Sequence, residues 1–431
     1  MLLGTSKTVI TPLKKLRLAG YATREAVFDD VLEDIYIRVY WLRDEKLNKD
    51  EVIIYGDLIW FSEPFVEKAI KTIRYIYPNL AESNICFIAS HNHSGPPTGD
   101  SFTPLLETYD DEYAAYLLNR IIDSIRFAEA DKEEISAERY TDRIKLNVYR
   151  RVMLNNKIEM MPNYDHYCNH ELNLIVFKNL NDDVKGMIVH YPCHANISNE
   201  NKIMPDFPGI TLSMLENRFE DSVSIYMQGA TADIRPNVVL GNKFTSGNYA
   251  QVVKFSSMLY DKIISMIESG QSNEITIKLE KNRIDTIRLP QDRIIVNENI
   301  LKSEDESNLP KQQWYEKTKM KNFRLYENLK VQYLSLGDEL EFFFFNAEMS
   351  QSYESFIKKI YKNSLAVSYA NGMIGYISSS KQIEEGGYEP VDSAIYFALS
   401  GTYKPEIEKM IMNKILELGG YDEKRYSNET I

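Results

Sequence analysis

Cysteine is almost absent from this chain: Cys86, Cys168 and Cys193 are the only three, and none stands in a CxxC pair. Neither a thiolate zinc site nor a disulfide framework is therefore expected. Histidine is nearly as scarce. All six residues (His91, His93, His166, His170, His190 and His194) fall in one stretch, and none follows His194. A metal site that draws on the later part of the chain must take carboxylate, phenolate or amide ligands from it. Basic residues are outnumbered, with 50 Lys and Arg against 63 Asp and Glu and a formal net charge of −13. That balance argues against a nucleic-acid partner, which needs a basic face, and weakly against docking on anionic lipid. No apolar run approaches the roughly 20 residues that span a bilayer, so no stable membrane anchor is expected. The opening residues lack the basic region, apolar stretch and cleavage site of a signal peptide, which gives the expectation of a cytoplasmic protein.

What is present is enough apolar sequence, 44%, for a sizeable core. Short β-rich runs alternate with longer amphipathic stretches. Strands are expected over 51–60, 84–89, 172–177, 185–191, 222–227, 339–345 and 364–369. Helices are expected over 64–77, 105–131, 248–269, 350–362 and 404–418. This pattern predicts an α/β fold, a mixed β-sheet core flanked by helices, with the active site at strand C-terminal ends. The whole of 1–431 is read as one catalytic domain, and the polar stretch 299–321 as a surface insertion.

Five motifs carry chemistry. An apolar strand runs into His91 and His93, spaced i, i+2; if both stay extended they point to one side. They read either as metal ligands or as histidines bonding nearby backbone. A second strand ends at His190 and His194. Pro192 between them excludes a helical zinc pair. His194 is the better ligand, His190 a core histidine, and Cys193 core packing. A small-residue loop holds Asp233 and Arg235, read as substrate-binding residues or as an ion pair shaping the loop. Four phenylalanines, Phe342 to Phe345, precede Glu348. That carboxylate beside an apolar wall needs a partner or a metal, or serves as a helix N-terminal acid. Gly372 and Gly375 bracket a turn that presents Tyr376.

Together these motifs resemble the catalytic domain of the neutral/alkaline, non-lysosomal ceramidase family. The resemblance spans nearly the whole chain, from GTSKTVITP at 4–12 and AGYA at 19–22 to the Tyr388 region. Its most specific pieces are SHNHSGP at 90–96, GATADIRPN at 229–237, NAEMS at 346–350 and NGMIGY at 371–376. The resemblance implies a zinc ion held by His91, His194, Glu348 and Tyr376. It implies active-site roles for His93, Tyr388 and, of the pair Arg150 and Arg151, Arg150. Two departures stand out. Ala347 replaces a family glycine, and Arg235 stands where the family has a serine. The family's C-terminal immunoglobulin-like domain is not expected here.

The expected function is zinc-dependent hydrolysis of an amide by activated water. Arg150 and Arg235 point toward a soluble, anionic N-acyl substrate. Alternatives on the same site are cleavage of lipid amides, amide formation by an acyltransferase or cyclase, and an inactive zinc-binding homologue. An amidohydrolase barrel also opens with His-x-His, but it needs later histidines that this chain lacks. A small-molecule amide is the expected partner, and self-association into a homo-oligomer is compatible with the sequence.

Overall fold

A computed structural model describes residues 1–296, 298–302 and 305–421. The chain forms a mixed α/β fold built on three five-stranded sheets with helices packed against them. The first sheet runs, in spatial order, Ile85–Ala89, Lys49–Gly56, Tyr36–Asp44, Leu2–Val9 and Glu133–Glu134. The second runs Val223–Gln228, Val184–Tyr191, Glu171–Lys178, Ser136–Arg143 and Asn273–Ile275. The third runs Ser364–Val367, Glu341–Phe345, Tyr326–Ser335, Lys281–Arg293 and Gly401–Tyr403. Each sheet is antiparallel through most of its width and ends in one parallel pair. These pairs are Lys49–Gly56 with Ile85–Ala89, Val184–Tyr191 with Val223–Gln228, and Glu341–Phe345 with Ser364–Val367.

Alternation of side chains explains why these strands are almost wholly apolar. Phe343 and Phe345 enter one hydrophobic core, and Phe342 and Phe344 enter the other. The strand Ile85–Ala89 divides in the same way, with Phe87 in the first core and Ile88 in the second. A strand lying between two cores has no polar face. Complete burial of each phenylalanine contributes about 1.5–3 kcal/mol.

Where element ends differ from expectation, a polar side chain sets the boundary. The strand expected over 51–60 stops at Gly56. Asp57 then accepts hydrogen bonds from Arg38 Nη1 (3.0 Å) and the Tyr36 amide (2.9 Å). The helix expected over 105–131 is Asp111–Ala130, because Asp110 caps it by accepting from the Tyr113 amide. The stretch 299–321 is not simply a polar surface insertion. Residues 303–304 lie outside the described residues, but Leu309–Met320 is a helix whose Trp314 is buried and donates to the Leu399 carbonyl. The hairpin Asn147–Leu154 with Lys157–Asn163 and the long pair Lys281–Arg293 with Tyr326–Ser335 were not expected; charged residues interrupt their alternation. Among the described residues no helix is long and apolar enough to cross a membrane. All three cysteines are buried and free.

Candidate metal centre and active site

The parallel pairs place the site. His91 lies just beyond Ile85–Ala89, His194 beyond Val184–Tyr191, and Glu348 beyond Glu341–Phe345. A crosslink draws the first and third sheets together. Asn371 Oδ1 accepts from the Phe87 amide (2.8 Å), and Ile88 and Ala370 form an antiparallel bridge.

His91 and His93 do converge, but not by strand alternation. The strand ends at Ala89, and His91 adopts a left-handed φ of 64°. That conformation is uncommon for a residue with a side chain and marks a constrained site. His91 Nδ1 bonds the Ile59 carbonyl (3.1 Å), and its ring stacks on Tyr369 with centroids 4.0 Å apart. Assigning the proton to Nδ1 leaves the Nε2 lone pair free. That Nε2 lies 2.9 Å from His194 Nε2, 3.1 Å from His93 Nε2 and 3.7 Å from Glu348 Oε2. The Nδ1 atoms of His93 and His194 are buried without a partner. His93 fits only because Gly20 is a glycine at φ 93°: a Cβ there would lie 2.5 Å from His93 Nδ1.

Burial pushes His91 down to about 3, and His93 and His194 well below the usual histidine value. All three rings are therefore neutral near pH 7, the form that donates lone pairs to a cation. The three histidines have ligand atoms within 4.8 Å of one another and can hold a metal ion. Glu348 is buried and pushed up to about 8 by that burial, against the pull of Arg150, Tyr376 and Tyr369. A carboxyl held protonated this way is the group a bound cation would ionise. The donor set fits a divalent metal.

Tyr376 is positioned by backbone register. Glu348–Met349 and Tyr376–Ile377 form a small parallel ladder in which Glu348 and Tyr376 are direct partners. Arg150 lies 5.5 Å from the Tyr376 ring and 5.9 Å from the Tyr388 ring, and the two tyrosines meet edge to face. Burial raises both phenols, so each keeps its proton in the absence of a cation. Arg150 Nε donates to Glu389 Oε1 (2.7 Å), while Arg151 Nη1 donates to the other oxygen of the same carboxylate. A bulge in the strand register at this point lets consecutive arginines reach one acid.

Asp233 is placed elsewhere. Its carboxylate accepts from Ser350 Oγ (2.7 Å), the Gln351 amide (3.0 Å) and Gln382 Nε2 (2.6 Å). It lines a cavity of about 370 Å³ whose walls, among the described residues, include none of the three histidines. Its carboxylate is filled by these groups, and it does not pair with Arg235. Instead it ties its loop to the segment just after Glu348. Arg235 packs on the Phe244 ring at 4.8 Å. His190 is a core residue whose Nε2 bonds the Ala366 carbonyl (2.7 Å).

Two residues at the site were missed in the sequence. Tyr369 stacks on His91 and donates to Glu348 Oε2 (3.3 Å). Glu389 holds the two arginines. The adjacent Arg150 and Arg151 were a signal that a buried acid must exist, but not where.

A family model described as neutral/alkaline non-lysosomal ceramidase, N-terminal, matches residues 1–274. The chain belongs to this family. Membership implies an amide-cleaving hydrolase. Two solved structures share the fold of this ceramidase-family chain. A neutral ceramidase from Pseudomonas aeruginosa is 14% identical, with a TM-score of 0.75 over 98% of this chain and 74% of that one. A structure described as ceramidase complexed with C2 is also 14% identical, with a TM-score of 0.77 over 98% of this chain and 75% of that one. No curated protein sequence matches the chain.

Proposed function

We propose that this ceramidase-family chain is a zinc-dependent amidase whose metal is held by His91, His194, Glu348 and Tyr376. The observation that carries this reading is the 2.9 Å approach of His91 Nε2 and His194 Nε2 in a buried pocket shared with Glu348. When bound, a zinc ion lowers the pKa of a water molecule toward neutrality.

The chain's own groups supply the rest. His93, neutral through burial, takes a proton from the attacking water and passes it to the amine as the C–N bond breaks. The Tyr388 hydroxyl keeps its proton and donates to the carbonyl oxygen as negative charge develops there. Arg150, fixed by Glu389, holds the two tyrosine rings in place and favours charge on Tyr376. Asp233 acts as a positioning residue for the loop after Glu348, not as a substrate contact.

On substrate, family membership supports a lipid amide over the soluble N-acyl compound expected from the sequence. A second reading of the ligand set has its own observation: His93 Nε2 is closer to His91 Nε2 than Glu348 is, so three histidines could share the ion. The test is turnover of a panel of N-acyl amides by the purified chain, with and without chelator. Chelator-sensitive release of fatty acid is expected. Turnover of these amides that survives complete metal removal would refute the proposal.

A further inference from the structure

We propose that Arg235 binds an anion carried by the substrate, so that the amide cleaved here bears a carboxylate or phosphate close to the scissile bond. This rests on reading the site as an amidase and names the class of amide.

The first argument is placement. Ile234–Pro236 pairs antiparallel with Asn147–Leu154, and Arg235 is the register partner of Val148. Directly paired residues share a face, and so do residues two apart on a strand. Arg235 therefore shares a face with Val148, two residues before Arg150, and the bulge at Arg150 begins just beyond this pairing. Its neighbour Ile234 goes to the opposite face and packs with Tyr149 and Cys168. The charges and phenols nearest Arg235 are Arg150, Tyr376 and Tyr388 of the site and Tyr21, whose ring lies 5.0 Å from that of His93.

The second argument is what Arg235 lacks. It is half-buried, with its Nε out of reach of water, whereas the buried arginines of this chain are paired or bonded. Arg38 meets Asp57 and Glu216, Arg150 and Arg151 share Glu389, and Arg24 donates to the carbonyls of Ala19, His93 and Glu200. Arg235 makes no ion pair among the described residues. Its contacts are the Phe244 ring and Met160 Sδ (3.7 Å), and its Nε is buried with no partner. The nearest acid in sequence, Asp233, is fully engaged by Ser350, Gln351 and Gln382. A half-buried guanidinium with an unpartnered Nε, set beside a second cation, has donor capacity left for an anionic ligand. A guanidinium fork suits a carboxylate or phosphate, and the apolar seat on Phe244 and Met160 suits the hydrocarbon beside one.

The experiment measures binding to the full chain of three non-hydrolysable probes with one shared alkyl chain. These are N-dodecanesulfonylglycine (carboxylate), the O-phosphate of N-dodecanesulfonylethanolamine, and neutral N-dodecanesulfonylethanolamine. At least one anionic probe is expected to bind about tenfold or more tighter than the neutral one, the scale of one charge-assisted bidentate contact. The tighter of the two names the anion. In Arg235→Ser the preference is expected to fall to near one, and in Arg235→Lys to survive in part. Equal binding of all three probes to the wild-type chain, or a preference that persists in Arg235→Ser, would overturn the proposal. Should Arg235→Ser not fold, the wild-type ratio and Arg235→Lys still decide. Parallel turnover of N-dodecanoylglycine and N-dodecanoylethanolamine separates the two readings. Amide cleavage with no anionic preference sinks this inference alone; anionic preference in binding with no cleavage of any amide sinks the amidase reading alone.

Discussion

His91 and His194 are 103 residues apart in sequence, yet their Nε2 atoms stand 2.9 Å apart, with His93 Nε2 3.1 Å from the same His91 atom. His91 spends its one proton on the Ile59 carbonyl, so its Nε2 offers a lone pair. Burial keeps all three rings neutral, so each carries one ring proton and one lone pair. A cation that enters can take the place of the shared protons between these nitrogens, and this arrangement underlies the account.

The two ligand sets separate by metal content. His93→Ala is expected to keep its metal and lose turnover about 10²–10⁴-fold, the usual contribution of a proton-transfer group. Glu348→Ala is expected to lose metal. The opposite pattern, metal lost in His93→Ala and kept in Glu348→Ala, would establish the three-histidine set instead.

Glu389→Gln removes the single carboxylate shared by Arg150 and Arg151, all three being buried. Arg150 would lose its ion-pair partner, and Arg151 would keep only Glu385, at 3.4 Å. A loss of about 3–5 kcal/mol in denaturant-unfolding stability is expected. A loss below about 1 kcal/mol would show that other groups neutralise these arginines.

Far from the site, Glu51 makes stability depend on pH. Burial raises its carboxyl from the ordinary 4.5 to about 8. The folded state therefore holds a proton that the unfolded chain gives up. The stabilisation is fully present below pH 4.5 and is lost as pH rises to about 8. Glu51 Oε2 accepts from Asn84 and Asn282, while Oε1 has no partner. In Glu51→Gln the amide oxygen keeps both bonds and nothing ionises. The variant should match wild type near pH 4.5 and exceed it by roughly 1–3 kcal/mol at pH 9 in urea unfolding. Parallel stability curves for the two proteins would contradict the shift.

The mixed α/β fold and the histidine pair could be read from the sequence because each rests on local pattern. Continuous apolar runs marked strands buried on both faces, and His91, His194 and Glu348 follow three of those runs closely. The supporting residues were hidden because they act across long separations. Arg150 meets Glu389 over 239 residues, and Arg150 sits on a hairpin strand whose charged residues mask its periodicity. Tyr369 lay within a motif read for Tyr376, and nothing local shows that its ring would stack on His91. Asp233 shows the same limit: a lone acid in a small-residue loop reads as a substrate contact, and nothing local announces the three donors, from the segments after Glu348 and Tyr376, that its carboxylate meets.

The most direct test is elemental analysis of the purified chain beside His194→Ala. The account predicts close to one zinc per wild-type chain and almost none in the variant, with both proteins folded by circular dichroism. A metal-free wild-type chain that takes up no zinc on addition, or full zinc occupancy in His194→Ala, would contradict it.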